Sequence, residues 1–193
     1  MKKCIIVADG PSAKDFVPPS NVPIIAVKGA IEWLSRADYW FSLDPNERTM
    51  QVINNPKEGV KYYCACPDNI VLPNHVIRLK RIAAHTLPRH LMRTMIQRWS
   101  CVLTLNEDPT CINTGNSAYG ALGLAYHLGF RDVLLVGVDG TMQPRLSDKK
   151  RPNNLSHLPE LFESTLHQVK LSSISRLGNK IPKVTLEEWL NDE

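Results

Sequence analysis

Along this chain, short unbroken apolar runs alternate with segments of helical spacing. Residues 3–8 (Lys-Cys-Ile-Ile-Val-Ala) form a run of strand length with no polar alternation. Such a run suits a strand covered on both faces, and it stops at the turn Asp9-Gly10-Pro11-Ser12. The pattern predicts this as the first and central strand. Residues 23–27 read as a second strand, 29–35 as a short helix, and 39–43 (Tyr-Trp-Phe-Ser-Leu) as an aromatic third strand closed by the turn residues Asp44-Pro45-Asn46. Asp44 and Asn46 are read as turn formers rather than ligands. Residues 61–65 and 76–79 are weaker strand candidates, set apart by Pro67-Asp68-Asn69 and Pro73-Asn74. Over 87–99, Leu91, Met92, Met95, Ile96 and Trp99 recur at three-and-four spacing, which predicts an amphipathic helix with Arg89, Arg93 and Arg98 on its wetter faces.

The best-defined unit is 113–140. Cap-type residues Thr114, Asn116 and Ser117 precede a small-residue helix over 118–128, which ends at Gly129. Residues 132–138 follow as a buried strand ending in Asp139-Gly140. A long helix is predicted over 158–177, then a short strand at 183–185 and a helical turn at 186–190. Alternating strands and crossovers of this kind define an α/β class: a Rossmann-like, doubly wound, mostly parallel sheet of about six strands, with helices on both faces and a basic helical insertion.

Composition narrows the class. The 193 residues are 43% hydrophobic and 22% charged, with 10 Gly and 14 Pro, which excludes collagenous and disordered chains and suits a single domain over 1–193. No apolar run approaches the ~18 residues that span a bilayer. The opening Met-Lys-Lys-Cys-Ile-Ile-Val imitates a signal peptide only as far as Ala8, so a cytoplasmic protein is expected. The five cysteines form no C-x-x-C pair, and Cys64-Ala65-Cys66 has the wrong spacing for a zinc knuckle. They are read as small buried hydrophobes in a reducing compartment.

The net charge of +4 is too small to imply nucleic-acid binding, but its distribution is uneven. Over 69–106 no acidic residue occurs, while Arg78, Lys80, Arg81, Arg89, Arg93 and Arg98 do. This basic insertion or lid favours an anionic partner, either phosphate, a nucleotide or nucleic acid.

Ligands of open parallel sheets bind beyond the carboxyl ends of the strands. Asp9-Gly10-Pro11-Ser12, Lys28-Gly29, Asp44-Pro45-Asn46 and Asp139-Gly140 fall at such ends, opposite the helix start Gly115-Asn116-Ser117. Neither G-x-G-x-x-G nor a P-loop is present, so no nicotinamide or Walker-type site is predicted. In this setting Gly10 allows close backbone approach, and Ser12 offers a hydroxyl and an amide to a phosphate.

Read in order, the strand ending in Asp9-Gly10-Pro11-Ser12, the capped helix from Asn116-Ser117, and the module from Leu128-Gly129-Phe130 through Val136-Gly137-Val138-Asp139 resemble the bacterial CMP-sialic-acid-dependent sialyltransferases. They also resemble the related family of 6-hydroxymethylpterin diphosphokinase-like proteins. The likeness covers roughly 3–46 and 113–175. It implies a nucleotide-dependent transferase, foremost a glycosyltransferase using a CMP-sugar donor and a small-molecule or glycan acceptor without an obligatory metal. It assigns Asp9, Gly10, Pro11, Ser12, Asn116, Ser117, Asp139 and Gly140 to the nucleotide and His157 to the general base. The sialyltransferases usually carry Asn in place of Asp9. An anionic Asp9 would repel a phosphate, so it suits ribose, base or a bridging metal. Where those enzymes place aromatic residues after Gly-x-Asp, this chain has Thr141-Met142-Gln143, so Lys28, Arg145 and Lys149-Lys150-Arg151 are the candidates to stabilise the leaving phosphate. Two alternatives stand beside this reading. One is a diphosphokinase-type transferase with Mg²⁺ held by Asp9, Asp44 or Asp139; the other is a nucleic-acid-associated protein using 69–106. A homo-oligomer is compatible with either.

Overall fold

The computed structural model describes residues 1–84, 100–152 and 155–192. Among these residues, eight parallel strands form one sheet: β1 (Lys3–Val7), β2 (Ile24–Val27), β3 (Tyr39–Ser42), β4 (Lys61–Ala65), β5 (Val76–Ile82), β6 (Cys111–Asn113), β7 (Asp132–Val136) and β8 (Lys170–Ser173). Their spatial order is β6-β5-β4-β3-β2-β1-β7-β8. The chain therefore winds outward from β1 to β6, crosses back to β7 beside β1, and winds the other way to β8. The expected Rossmann-like α/β class, with β1 in the interior of the sheet, is what the structure has.

Burial on both faces explains the unbroken apolar runs. In β1, Cys4 and Ile6 enter one core while Ile5 and Val7 enter the other, and in β7 Val133 and Leu135 are divided from Leu134 and Val136 in the same way. Helices α3 (Ser117–His127) and α4 (Leu158–Glu163) cover the first face. Helices α1 (Ala30–Trp33), α2 (Glu47–Asn54) and α5 (Leu186–Asn191) cover the second. Four of the five cysteines are buried and none is in a disulfide; Cys64 and Cys66 sit in the same core, as their strand spacing requires.

Three differences from the sequence pattern have local causes. The helix expected over 158–177 stops at Glu163. The hydroxyls of Ser164 and Thr165 donate back to the carbonyls of Leu161 (2.7 Å) and Phe162 (2.8 Å), bonds that compete with helix propagation. The following residues then pair with β7, from Asp132↔Lys170 to Leu135↔Ser173, because a free sheet edge is there to take them. The sheet has eight strands rather than about six because β6 and β8 join it, while 183–185 makes only an isolated bridge to Ser173. Finally, Asn46 does more than turn the chain: its side chain accepts from the Thr49 amide (2.9 Å) and caps α2, a helix whose short length hid it in the pattern. The helix expected at 87–99 lies outside the described residues.

Candidate functional site

The order of the strands reverses between β1 and β7, and the loops leaving these two strands cross rather than diverge at once. Gly10 donates its amide to the Gly137 carbonyl at 2.9 Å. A Cβ on Gly10 would lie 2.4 Å from that oxygen and 2.6 Å from the Asp139 carboxylate, so no other residue fits without moving the loop. Pro11–Ala13 then form one 3₁₀ turn, which aims Ser12 at Asp139. The Ser12 amide donates to Asp139 Oδ2 at 2.9 Å, its hydroxyl donates to Asp139 Oδ1, and the same hydroxyl oxygen accepts from the Gly137 amide at 3.1 Å. The serine and aspartate expected to face a nucleotide thus hold one another, and they close the crossing of the two loops.

A cleft of about 590 Å³ opens above this crossing. Asp9, Gly10, Pro11, Lys28, Asn116, Ser117, Asp139, Gly140 and His157 all line it, as do Arg145 and Lys150 of the leaving-phosphate candidates; Ser12, which bonds Asp139, and Lys149 and Arg151 do not. The α3 N-terminus contributes through Asn116, whose side chain accepts from the amides of Ala118 (2.8 Å) and Tyr119 (3.1 Å) and starts the helix at the cleft wall. His157 precedes α4 and is only 7% exposed.

Lys28 adopts φ +51°, the left-handed region that costs a side-chain-bearing residue about 1–2 kcal/mol. Its carbonyl accepts from the Trp40 indole (2.8 Å), and its ammonium reaches Asp44 at 2.8 Å. Arg48 on α2 forks onto Glu32 of α1 and extends to Asp148 at 3.0 Å, while Arg145 lies 3.5 Å from Asp148. The hydrogen bonds that Arg48 donates to the Glu32 carboxylate raise the pKa of its guanidinium above the ordinary value. These pairs neutralise much of the rim. Arg81 and Lys150 also line the cleft, and among the described residues neither has a carboxylate in ion-pair range, so both are available to an anionic group.

Sequence reasoning missed Arg48 and Ser147 as parts of this site, and Trp33, which holds Asp9 from beside it. Arg81 carried a signal, because it belongs to the acid-free stretch. Its neighbour Arg78 instead braces a loop through the carbonyls of Pro67 (2.7 Å) and Ile70. Arg89, Arg93 and Arg98 lie outside the described residues.

Each carboxylate considered for a divalent cation already has a hydrogen-bond or ion-pair partner. Asp9 accepts from Trp33 and Ser147, Asp139 accepts from Ser12, and Asp44 pairs with Lys28. Among the described residues, no group of three or more His, Cys, Asp or Glu side chains could hold a metal ion. No helix among them is long and apolar enough to cross a membrane.

Fold and cleft together define a Rossmann-like α/β protein with a ligand-sized cleft at its topological switch point. No protein-family model matches the chain, and no curated protein does. Among solved structures it is similar to the MAf glycosyltransferase from Magnetospirillum magneticum AMB-1, with a TM-score of 0.56 at 14% identity over 94% of this chain. That likeness shows a shared fold, and the chain spans 32% of the length of the neighbour.

Proposed function

We propose that this protein is a nucleotide-dependent transferase of glycosyltransferase type that takes a nucleotide-sugar donor, with CMP as the favoured nucleotide, and passes the sugar to a small-molecule or glycan hydroxyl. The observation that carries this reading is the cleft itself. It lies beyond the carboxyl ends of parallel strands where their order reverses, is floored by close-approach glycines, and opens onto a helix N-terminus and onto Arg81 and Lys150, which have no carboxylate partner among the described residues. The shared fold with a glycosyltransferase supports the reaction class.

In this reading the backbone around Gly10, Pro11 and Gly140 lies against the nucleotide, while Asn116 and Ser117 bring the positive end of α3 toward the phosphate. Asp139 shapes the floor through Ser12. His157 takes the proton of the acceptor hydroxyl as that oxygen attacks the anomeric carbon. The bond from that carbon to the phosphate oxygen breaks, and CMP leaves with the electron pair, so the sugar carbon inverts. Lys150 and Arg145 stabilise the departing phosphate. Neutral imidazole in the role of base is worth about 10²–10⁴-fold in rate.

Titration calorimetry with CMP, CTP and unrelated phosphates tests the nucleotide directly. CMP and CTP are expected to bind well above the background set by inorganic phosphate. If they bind no tighter than it does, the reading fails.

A further inference from the structure

Residues 141–152, in the loop that follows β7, line one side of the cleft and reach back to α1 and α2, forming a strap whose attachment is concentrated on one side chain. Asp9 stands at the end of β1. Its Oδ1 accepts from the Trp33 indole of α1 at 3.0 Å and from the Ser147 amide at 3.0 Å, and its Oδ2 accepts from the Ser147 hydroxyl. The backbone carbonyl of Asp9 also accepts from the Leu146 amide at 2.9 Å. A Cβ on Gly29 would lie 2.5 Å from Ser147 Oγ, so the strap is seated directly on the turn before α1. Arg48 supplies a second tie through Asp148 at 3.0 Å. One carboxylate thus joins the ends of β1, α1 and the loop after β7, and the strap it holds carries Arg145 and Lys150 into the cleft.

We propose that Asp9 is a positioning residue: its carboxylate latches the strap along the cleft and so holds Arg145 and Lys150 against the anionic part of a substrate. The latch stands on its own geometry, whereas its consequence for the substrate rests on the nucleotide-transferase reading above. A carboxylate suits the task because both of its oxygens accept, and a charged acceptor makes the stronger bonds. An asparagine has one acceptor oxygen; it retains the Trp33 and Ser147 amide bonds and leaves the third to a weaker neutral contact.

The strap contains Arg145, Lys149 and Lys150, each a site for trypsin, so its release is measurable without any ligand. In the full chain, Asp9→Ala is expected to raise the rate of cleavage within the strap about tenfold, Asp9→Asn by much less, and Ser147→Ala, which leaves the core untouched, by an intermediate factor. In parallel, CMP affinity is measured for Asp9→Ala, Arg145→Ala and the double variant. A latch predicts that each single change weakens CMP, and that Arg145→Ala adds little once Asp9 is alanine, because the arginine has already been released. Unchanged strap cleavage in both Asp9→Ala and Ser147→Ala would overturn the proposal. So would losses of CMP affinity that multiply, since they would make Asp9 an independent ligand. If the unaltered protein binds no CMP, the transferase reading falls while strap cleavage alone still judges the latch.

Discussion

Single atoms decide the crossing of the β1 and β7 loops. Ser12 makes three hydrogen bonds there through one amide and one hydroxyl, two of them to a carboxylate. Replacing it by alanine leaves Asp139 and the Gly137 amide short of partners in a half-buried place. The expected loss is about 1–3 kcal/mol in denaturant unfolding, the usual result of stranding such groups. Gly10→Ala is expected to be at least as harmful, since its methyl would meet the Gly137 carbonyl at 2.4 Å. A Ser12→Ala protein with unaltered stability would show that Asp139 finds water as readily as serine. The motif Asp-Gly-Pro-Ser was legible in the sequence as a turn at the end of a strand. That its serine points inward to another loop was not, because Asp139 lies 127 positions away and no local pattern encodes the meeting.

Among the elements, α3 shows how closely helix and sheet are matched. Its residues from Ala118 to Ala125 are buried throughout, and small side chains allow it to lie against β3 and β1. A Cβ on Gly120 would stand 2.6 Å from the Phe41 ring. Alanine is the better helix former by about 1 kcal/mol, but forcing a methyl into a filled core costs about 1–3 kcal/mol. Crowding is therefore expected to win, and Gly120→Ala should lower stability. Coupling to Phe41→Leu, which removes the obstructing ring edge, should recover part of that loss in a double-mutant cycle. The small-residue helix and its cap were readable from 113–129, since capping and composition are local. The end of α4 and the strand β8 were not: the apolar spacing of 158–177 continues through Ser164 and Thr165, and only the open edge of β7 tells the later residues to pair as a strand.

For the molecule as a whole, burial controls the thiols and the alkaline limit. Burial pushes the Cys64 thiol from 9.0 up to about 12, with Cys66 adding to it, and moves Cys4 and the Tyr119 hydroxyl in the same direction. When unfolded, Cys64 ionises near pH 9; when folded, it keeps its proton to about pH 12. The folded state therefore binds more protons between these values. Its contribution to stability is complete below pH 9 and is lost as the pH climbs toward 12. Denaturant midpoints measured from pH 8 upward should fall accordingly. At pH 8 the half-buried Cys101 should react with a thiol reagent well before the four buried cysteines.

Apolar runs without alternation, broken by turns and separated by capped helices, were enough to determine a parallel sheet covered on both faces, because burial on two sides leaves that mark on every strand. Turn chemistry likewise marked the strand ends where a ligand would sit. The tertiary structure alone decided which ends meet. Strand order places β1 beside β7, so the first turn of the chain and Gly137-Val138-Asp139 share one cleft, and Asp9 faces Ser147 rather than open solvent. Contacts of that kind join residues more than a hundred positions apart, and they follow from the path of the backbone through the sheet, which no local run of residues specifies.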